Sequence, residues 1–398
     1  MSIQPNKRDV DGSSKIQTGD LPVKLTNVAL YKKANGDYVI QKFGKEFPEL
    51  YVGLDYVLKA LKNLRATSVS IREGGTGIVP TILSLALPRV KVTVSVWSAD
   101  TALVNRNLEE NLDYHIEVTV EEKVQHQSEV CVLVHESYQN QESMFEEIVS
   151  LIDHSSKGIL FMISHKSKGA ETLAQNVATS TGLQYEIVAR GKGGARVIKF
   201  SGKPTNIAIA SSTKSYWFMA SGSVITIQTG NDSFSKDMLD IGSAMLIDYI
   251  SHFCTGLAPT NIWDLGCGAG PIGIASALLF PRAKVVMSDA NARVISIAGI
   301  NAKNAGVGSR TQVILSDGGT KVGGKFDLIL SNPPLHIPRQ HLVKILTQAR
   351  RKLVKGGKMF LVVEDSQVPI LSEAFQPIIG TPKVAKKGAT HFILEINK

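Results

Sequence analysis

From about residue 260 onward, short apolar runs alternate with amphipathic stretches. Asn261–Leu265 (NIWDL), Lys284–Ser288 (KVVMS), Thr311–Leu315 (TQVIL), Phe326–Leu330 (FDLIL) and Lys358–Val363 (KMFLVV) each read as a buried strand. Between them, Pro271–Phe280 (PIGIASALLF), Ala292–Ala305 and His341–Val354 carry helical spacing. Strands alternating with helices at this interval predict an α/β fold with a parallel, doubly wound sheet. Ligands of such sheets bind beyond the carboxyl ends of the strands.

The same order occurs once before. An ungapped offset of 193 places Gly75 and Gly77 on Gly268 and Gly270, and Pro88-Arg89 on Pro281-Arg282. It also places Lys91-Val92 on Lys284-Val285, Ser95 on Ser288 and Asn111 on Asn304. The matches fall on one strand–glycine loop–helix–strand unit, so two similar domains are expected. Their polar positions differ. Asp264 corresponds to Ile71, Asp289 to Val96, and the segment SNPPLH approximately to LVHESY. The first copy keeps an apolar scaffold without the polar groups, the pattern of a domain that folds but does not bind the ligand. We therefore expect residues 1–20 as a flexible tail, 21–202 as the degenerate copy and 203–398 as the working one.

Composition adds limits. The 398 residues are 43% apolar and 20% charged, which suits two ordinary globular cores. No apolar run is long enough for a membrane helix, and the polar N-terminus has no secretory h-region, so a cytoplasmic protein is expected. Three cysteines (Cys131, Cys254, Cys267) make neither a disulfide framework nor a CxxC metal site, and no metal is expected. The charge is uneven. Up to Gly202 there are 23 Lys+Arg against 23 Asp+Glu, and after it 21 against 12, so the second half carries the whole +9. A basic face attracts polyanions such as nucleic acid, although solubility alone can also explain it.

Asp264–Gly270 (DLGCGAG) follows a strand and opens a helix. Its glycines allow a tight turn and a close backbone approach to a ligand at a helix N-terminus. The spacing is G-x-G-x-G preceded by Asp, not the dinucleotide G-x-G-x-x-G. An acidic group there repels a pyrophosphate but suits the ammonium of an amino-acid moiety. Asp289 ends the next strand, where a carboxylate can accept both ribose hydroxyls. Asp317 ends the one after, within reach of an adenine amine. Together Asp264, Gly266, Gly268, Gly270, Asp289 and Asp317 describe a site for a nucleoside bearing an amino acid. The loop resembles the class I methyltransferase signature, which implies S-adenosyl-L-methionine. A nicotinamide-binding Rossmann domain and a non-binding copy are the competing readings. Cys267 fills the loop because it is small, with no paired base to make it a nucleophile.

Ser331–His336 (SNPPLH) follows the strand FDLIL, at the same carboxyl edge. A conjugated or amide nitrogen is a poor nucleophile because its lone pair is delocalised. The Asn332 side-chain oxygen and a backbone carbonyl of Pro333-Pro334 can hold its N–H groups and aim the lone pair at a methyl carbon. Asn332, Pro333 and Pro334 are therefore the catalytic candidates, and a plain turn is the bland alternative. Leu335 and His336 are the candidate substrate contacts. Asn-Pro-Pro plus an aromatic residue marks methyltransferases of adenine N6, guanine N2 or the glutamine amide. With FSKDMLDIGS at Phe234–Ser243, the chain resembles the ribosomal RNA guanine-N2 methyltransferases, the family of methyltransferase C (small-subunit RNA) and methyltransferase G (large-subunit RNA). That resemblance implies two Rossmann-like class I methyltransferase domains in tandem, the first degenerate, and RNA or a ribosomal subunit as partner. The chain departs from the family at Leu335, where an aromatic ring would stack on the target base, a contact worth roughly 1–3 kcal/mol. A glutamine-amide or adenine-N6 methyltransferase and a non-catalytic RNA-binding assembly factor are the alternatives. In the segment before the first strand, Lys236, Asp237 and Asp240 are candidate contacts, or helix caps. Arg350, Arg351, Lys352, Lys355 and Lys358 end a helix, where cations are favoured anyway; RNA phosphate is the other reading. The oligomeric state has no signature in the sequence.

Overall fold

The computed structural model describes residues 28–32, 38–42, 48–73, 77–98, 105, 108, 112, 115–135, 140–205, 214–231, 233, 235–254, 256–333, 339–368 and 382–398. The expected tail, residues 1–20, lies outside them. The chain divides into two compact units, Met1–Val96 with Thr101–Ile209, and Trp97–Asp100 with Ala210–Lys398.

In the first unit a hairpin, β1 (Val28–Lys32) and β2 (Tyr38–Lys42), precedes α1 (Pro48–Asn63). Then follow β3 (Ser68–Arg72), α2 (Ile78–Ala86), β4 (Lys91–Val96), β5 (Val118–Val120) and β6 (Val130–Val134). The unit closes with α3 (Gln141–Asp153), β7 (Ile159–His165), α4 (Ala170–Thr181), β8 (Gln184–Arg190) and β9 (Ala195–Ser201). The second unit opens with a hairpin, β10 (Lys214–Ala220) and β11 (Ser223–Thr229), and α5 (Ile241–Phe253). It continues with β12 (Asn261–Leu265), α6 (Pro271–Leu279), β13 (Lys284–Asp289), α7 (Ala292–Asn304) and β14 (Thr311–Leu315). β15 (Phe326–Ser331), α8 (Arg339–Arg351), β16 (Leu353–Glu364), β17 (Lys383–Lys387) and β18 (His391–Asn397) complete it.

Each unit holds a seven-stranded sheet of one topology, β5-β4-β3-β6-β7-β9-β8 and β14-β13-β12-β15-β16-β18-β17. The first five strands in each order are parallel and the seventh in sequence, β9 or β18, runs antiparallel. The two tandem Rossmann-like domains expected from the repeat are present. The offset of 193 carries β3 onto β12, α2 onto α6 and β4 onto β13 with no boundary moved. Strand register aligns the later segment as well. Ile71 pairs with Val132 and Asp264 with Leu330, so Val134 stands where Asn332 does.

These elements form where the apolar pattern places them. β12 buries Ile262, Trp263, Asp264 and Leu265, reading as a central strand covered on both faces. On one face Ile262, Val285, Leu328 and Phe360 pack with α5, α6 and α7. On the other, Trp263, Leu265, Ile329 and Met359 pack with Leu342 and Leu346 of α8. Complete burial of each such side chain contributes about 1.5–3 kcal/mol. Capping fixes the helix starts: the Asn291 side chain accepts from Arg293 N at 2.9 Å for α7, and Pro271 occupies the first turn of α6.

Apart from shifts of a residue or two, one junction differs. The helix expected over 341–354 ends at Arg351, and the strand expected from Lys358 begins at Leu353. The last helical carbonyls are satisfied by lysines from elsewhere in the chain: Lys325 Nζ donates to Arg351 O at 2.7 Å and Lys398 Nζ at 3.1 Å. Leu353, fully buried, then pairs with Phe326 in the sheet.

Candidate cofactor and catalytic site

Strand order reverses at β12, with β13 on one side and β15 on the other, so the crevice of the second unit opens at the carboxyl end of β12. There the chain turns through Gly266 (φ +73°), Gly268 (φ +53°) and Gly270 (φ +92°), values that favour glycine. Ser288 O accepts from Gly266 N at 2.8 Å and Cys267 N at 2.9 Å, fastening the loop to β13. Asn301 of α7, fully buried, fastens it from above: its Nδ2 donates to Ala269 O and to Gln228 O, both at 2.9 Å. Gln228 N returns a bond to Asn301 Oδ1, so the β10–β11 hairpin and the loop are tied through one amide. Trp263 is core, and its Nε1 donates to Ser288 Oγ at 2.8 Å. Neither Asn301 nor Ser288 stood out in the sequence, because a buried tether has no spacing signature.

Asp264 has no exposed surface. Its Oδ2 accepts from Gly273 N at 2.8 Å, capping α6 from the end of β12. Its Oδ1 is buried without a hydrogen-bond partner. Burial, reinforced by the charge of Asp289, raises the carboxyl from an ordinary 3.8 to about 7. A cation at Oδ1 would remove that penalty. Asp289, partly buried, accepts from Gly268 N through Oδ2 and from Asn291 N through Oδ1, each at 2.9 Å. Burial raises its carboxyl too, against the lowering effect of these backbone bonds. Each of its oxygens keeps a second lone pair for a hydroxyl. Asp317, almost buried after β14, has the Lys344 ammonium 3.5 Å from Oδ2. A Cβ on Gly268 would meet nothing within 4 Å, so the loop borders open space. An orphaned anion, a two-oxygen acceptor and an open glycine face fit the amino-acid, ribose and backbone-facing parts of S-adenosylmethionine.

Cys267 is fully buried, and desolvation together with Asp264 and Asp289 pushes its thiol well above the ordinary value. It is a filler of the loop, not a nucleophile.

Asn332 follows β15 directly, and Ser331 Oγ donates to Leu265 O at 2.7 Å, locking that strand end beside the glycine loop. The Asn332 Nδ2 donates to Asp240 Oδ1 at 2.8 Å and lies 3.2 Å from Ser243 Oγ. Pro333 is buried next to it. The expected residues Asp264, Gly266, Gly268, Gly270, Asp289, Asp317, Asn332 and Pro333 thus lie along one sheet edge. Pro334, Leu335 and His336 lie outside the described residues.

Other expectations divide. Asp240 is the N-cap of α5, accepting from Ser243 N at 3.0 Å, and is also the partner of Asn332. Asp237 is exposed and pairs with Lys214 at 3.0 Å, while Lys236 presents its carbonyl to Thr229 Oγ1. Of the basic cluster, Arg350 and Arg351 end α8, where cations are favoured, whereas Lys355 and Lys358 lie in β16 and Lys358 pairs with Glu395 at 2.6 Å.

In the first unit three described counterparts of the site residues are apolar. Ile71, Val96 and Val134 are buried where Asp264, Asp289 and Asn332 stand. Arg72, fully buried, pairs with Glu147 at 2.8 Å and donates to the carbonyls of Glu121 and Glu122. Glu121 N donates to Val96 O as Ser316 N donates to Asp289 O, so the guanidinium reaches the backbone carbonyls of the residues equivalent to Ser316 and Asp317, from the position equivalent to the core residue Leu265.

Residues 224–395 match the family model described as Methyltransferase small domain. Ribosomal RNA small subunit methyltransferase C of Serratia proteamaculans is 34% identical over 153 residues, covering 38% of this chain and 41% of that protein. The same-named protein of Mannheimia succiniciproducens is 36% identical over 147 residues, covering 36% and 40%. The chain thus matches less than half the length of these curated relatives. YbxB of Bacillus subtilis, uncharacterized, is 27% identical over 202 residues, 50% of this chain and 97% of that protein. The fold of T. Thermophilus 16S rRNA N2 methyltransferase (RsmC), solved with AdoMet and guanosine, superposes with a TM-score of 0.72 at 18% identity. That superposition covers 93% of this chain and 98% of the other, so the tandem fold is shared. The second of the two like-folded units thus carries the match to the methyltransferase small domain over residues 224–395, and the two-unit fold is shared along nearly the whole chain.

Proposed function

We propose that this protein transfers a methyl group from S-adenosylmethionine to the exocyclic N2 amine of a guanine in ribosomal RNA. The observation that carries the reading is Asn332, held at the β15 carboxyl end beside the loop fastened by Asp289, with both of its amide hydrogens turned away toward Asp240 and Ser243. When bound, the cofactor supplies a methyl group activated on a sulfonium. The chain supplies binding and aim. Asp264 Oδ1 accepts the ammonium of the amino-acid moiety, Asp289 the ribose hydroxyls, and Asp317 the adenine amine. Asn332 Oδ1 accepts an N–H of the guanine amine, and a carbonyl of Pro333-Pro334 accepts the other. That grip withdraws the nitrogen lone pair from conjugation and points it at the methyl carbon. Leu335 and His336 follow directly in the chain and are assigned to the base.

The names of the relatives support RNA as substrate, as does the +9 charge of the second half. The first unit, with Ile71, Val96 and Val134 in place of Asp264, Asp289 and Asn332, then serves RNA binding or stability, not transfer. A ribosomal subunit as partner and a cytoplasmic location complete the proposal; among the described residues no helix is long and apolar enough to cross a membrane.

The test is transfer of labelled methyl to deproteinised ribosomal RNA and to isolated ribosomal subunits. N2-methylguanine as the product supports the reading. Label in a protein glutamine, or transfer by Asn332→Ala equal to wild type, overturns it.

A further inference from the structure

An asparagine works as an acceptor only when its amide is the right way round. Turned over, it offers two donors to an amine that itself donates, and the grip becomes a repulsion. Nothing in Asn332's own backbone decides between the two orientations. The decision comes from a segment 92 residues earlier.

Asp240 has extended backbone (φ −67°, ψ 154°) and starts α5. Its Oδ1 accepts two bonds, from Ser243 N at 3.0 Å and from Asn332 Nδ2 at 2.8 Å. The Ser243 hydroxyl oxygen stands 3.2 Å from the same nitrogen. A carboxylate oxygen accepts hydrogen bonds, so the nitrogen of the amide is the end that faces it. With the second amide hydrogen directed at Ser243, both donors are committed and the oxygen is the end left for a substrate. Gly242 makes room for the contact: a Cβ there would lie 3.2 Å from Asp240 Oδ1 and 3.3 Å from Asn332 Nδ2. The negative charge also polarises the amide, adding electron density at its oxygen.

We propose that Asp240 is a positioning residue that fixes the orientation of the Asn332 amide, so that its oxygen meets the amine to be methylated. This rests on the reading of Asn332 as the amine's acceptor. The helix cap and the amide latch share one oxygen, so the cap that starts α5 also holds Asp240 where it meets Asn332. The residue is more than a cap.

Asp240→Ser separates the two roles. Serine caps a helix as well as aspartate does, but its hydroxyl, one atom shorter, does not reach Asn332. Expected are an unchanged melting temperature, an S-adenosylmethionine affinity within twofold of wild type, and a kcat about 10- to 100-fold lower with little change in KM for RNA. Asp240→Asn keeps an oxygen at the same place and should lose less. In an Asn332→Ala background, Asp240→Ser should cost nothing further. A purely capping role predicts wild-type kcat for Asp240→Ser, and a loss that persists without Asn332 places the effect elsewhere; either result overturns the proposal. A readout independent of turnover is the Asn332 side-chain amide in a nitrogen-15 spectrum, identified by its absence in Asn332→Ala. Its two proton resonances should be well separated in wild type and move toward free-amide positions in Asp240→Ser. If wild type methylates no RNA yet this spectral change occurs, the latch stands and the functional reading fails; an unmoved resonance refutes the latch itself.

Discussion

Replacing Asp264 with asparagine removes a buried charge that costs stability until a cation meets it. The carboxylate is fully buried, one oxygen bonded to Gly273 N at 2.8 Å and the other without a partner. The unfolded chain releases this proton near pH 4, whereas the folded one holds it to about pH 7. Between these values the folded form binds more protons, so stability falls as pH rises; the full penalty, reached above pH 7, is on the order of 4 kcal/mol. An asparagine at this position does not ionise and escapes it. At pH 7.5 the Asp264→Asn protein without cofactor should therefore unfold at the same temperature as wild type or higher. Binding should move the other way. Losing a charge-assisted bond to the cofactor ammonium costs roughly 1.5–3 kcal/mol, about 10- to 150-fold in Kd. Calorimetry at pH 6, repeated in buffers of different ionisation enthalpy, adds a second signature. Wild type should release close to one proton on binding, and Asp264→Asn none. Affinity within twofold of wild type would refute the ammonium contact. A joint fall of stability and affinity at pH 7.5 would refute the account of the buried charge.

Two further perturbations probe the scaffold. Arg72→Met leaves Glu147 as an uncompensated buried charge and should destabilise the first unit by about 3–5 kcal/mol, while Arg72→Met with Glu147→Leu recovers most of the loss; urea unfolding reads both, and a double variant as unstable as the single one contradicts this reading of the buried pair. Gly273→Ala would drive a Cβ to 2.6 Å from Met287 Cγ and Sδ and 3.0 Å from Asp264 Oδ2. It should cost about 1–3 kcal/mol and weaken cofactor binding, with partial recovery on adding Met287→Ala, measured by melting and calorimetry.

Much of this molecule is legible in its residues because burial leaves periodic traces. β12 and β14 run over the residues the apolar pattern predicts, and the offset of 193 carries three successive elements of one unit onto the other. The polar contrast is equally visible, since Asp264, Asp289 and Asn332 correspond to Ile71, Val96 and Val134. What the pattern missed depends on partners distant in sequence. The end of α8 is set by Lys325 and Lys398 reaching Arg351 O, which no local window contains. Asp240 reads as a cap because its local bond to Ser243 has a sequence signature, while its bond to Asn332 has none. Arg72, the last residue of β3, pairs with Glu147 of α3, 75 residues on, a contact with no local signature.

The central claim, methyl transfer to a guanine N2 with Asn332 as the acceptor, is tested most directly by mass mapping of ribosomal RNA from cells lacking this protein. One N2-methylguanosine should be missing, restored by the wild-type chain and not by Asn332→Ala. An unchanged set of N2-methylguanosines, or full restoration by Asn332→Ala, would contradict the account.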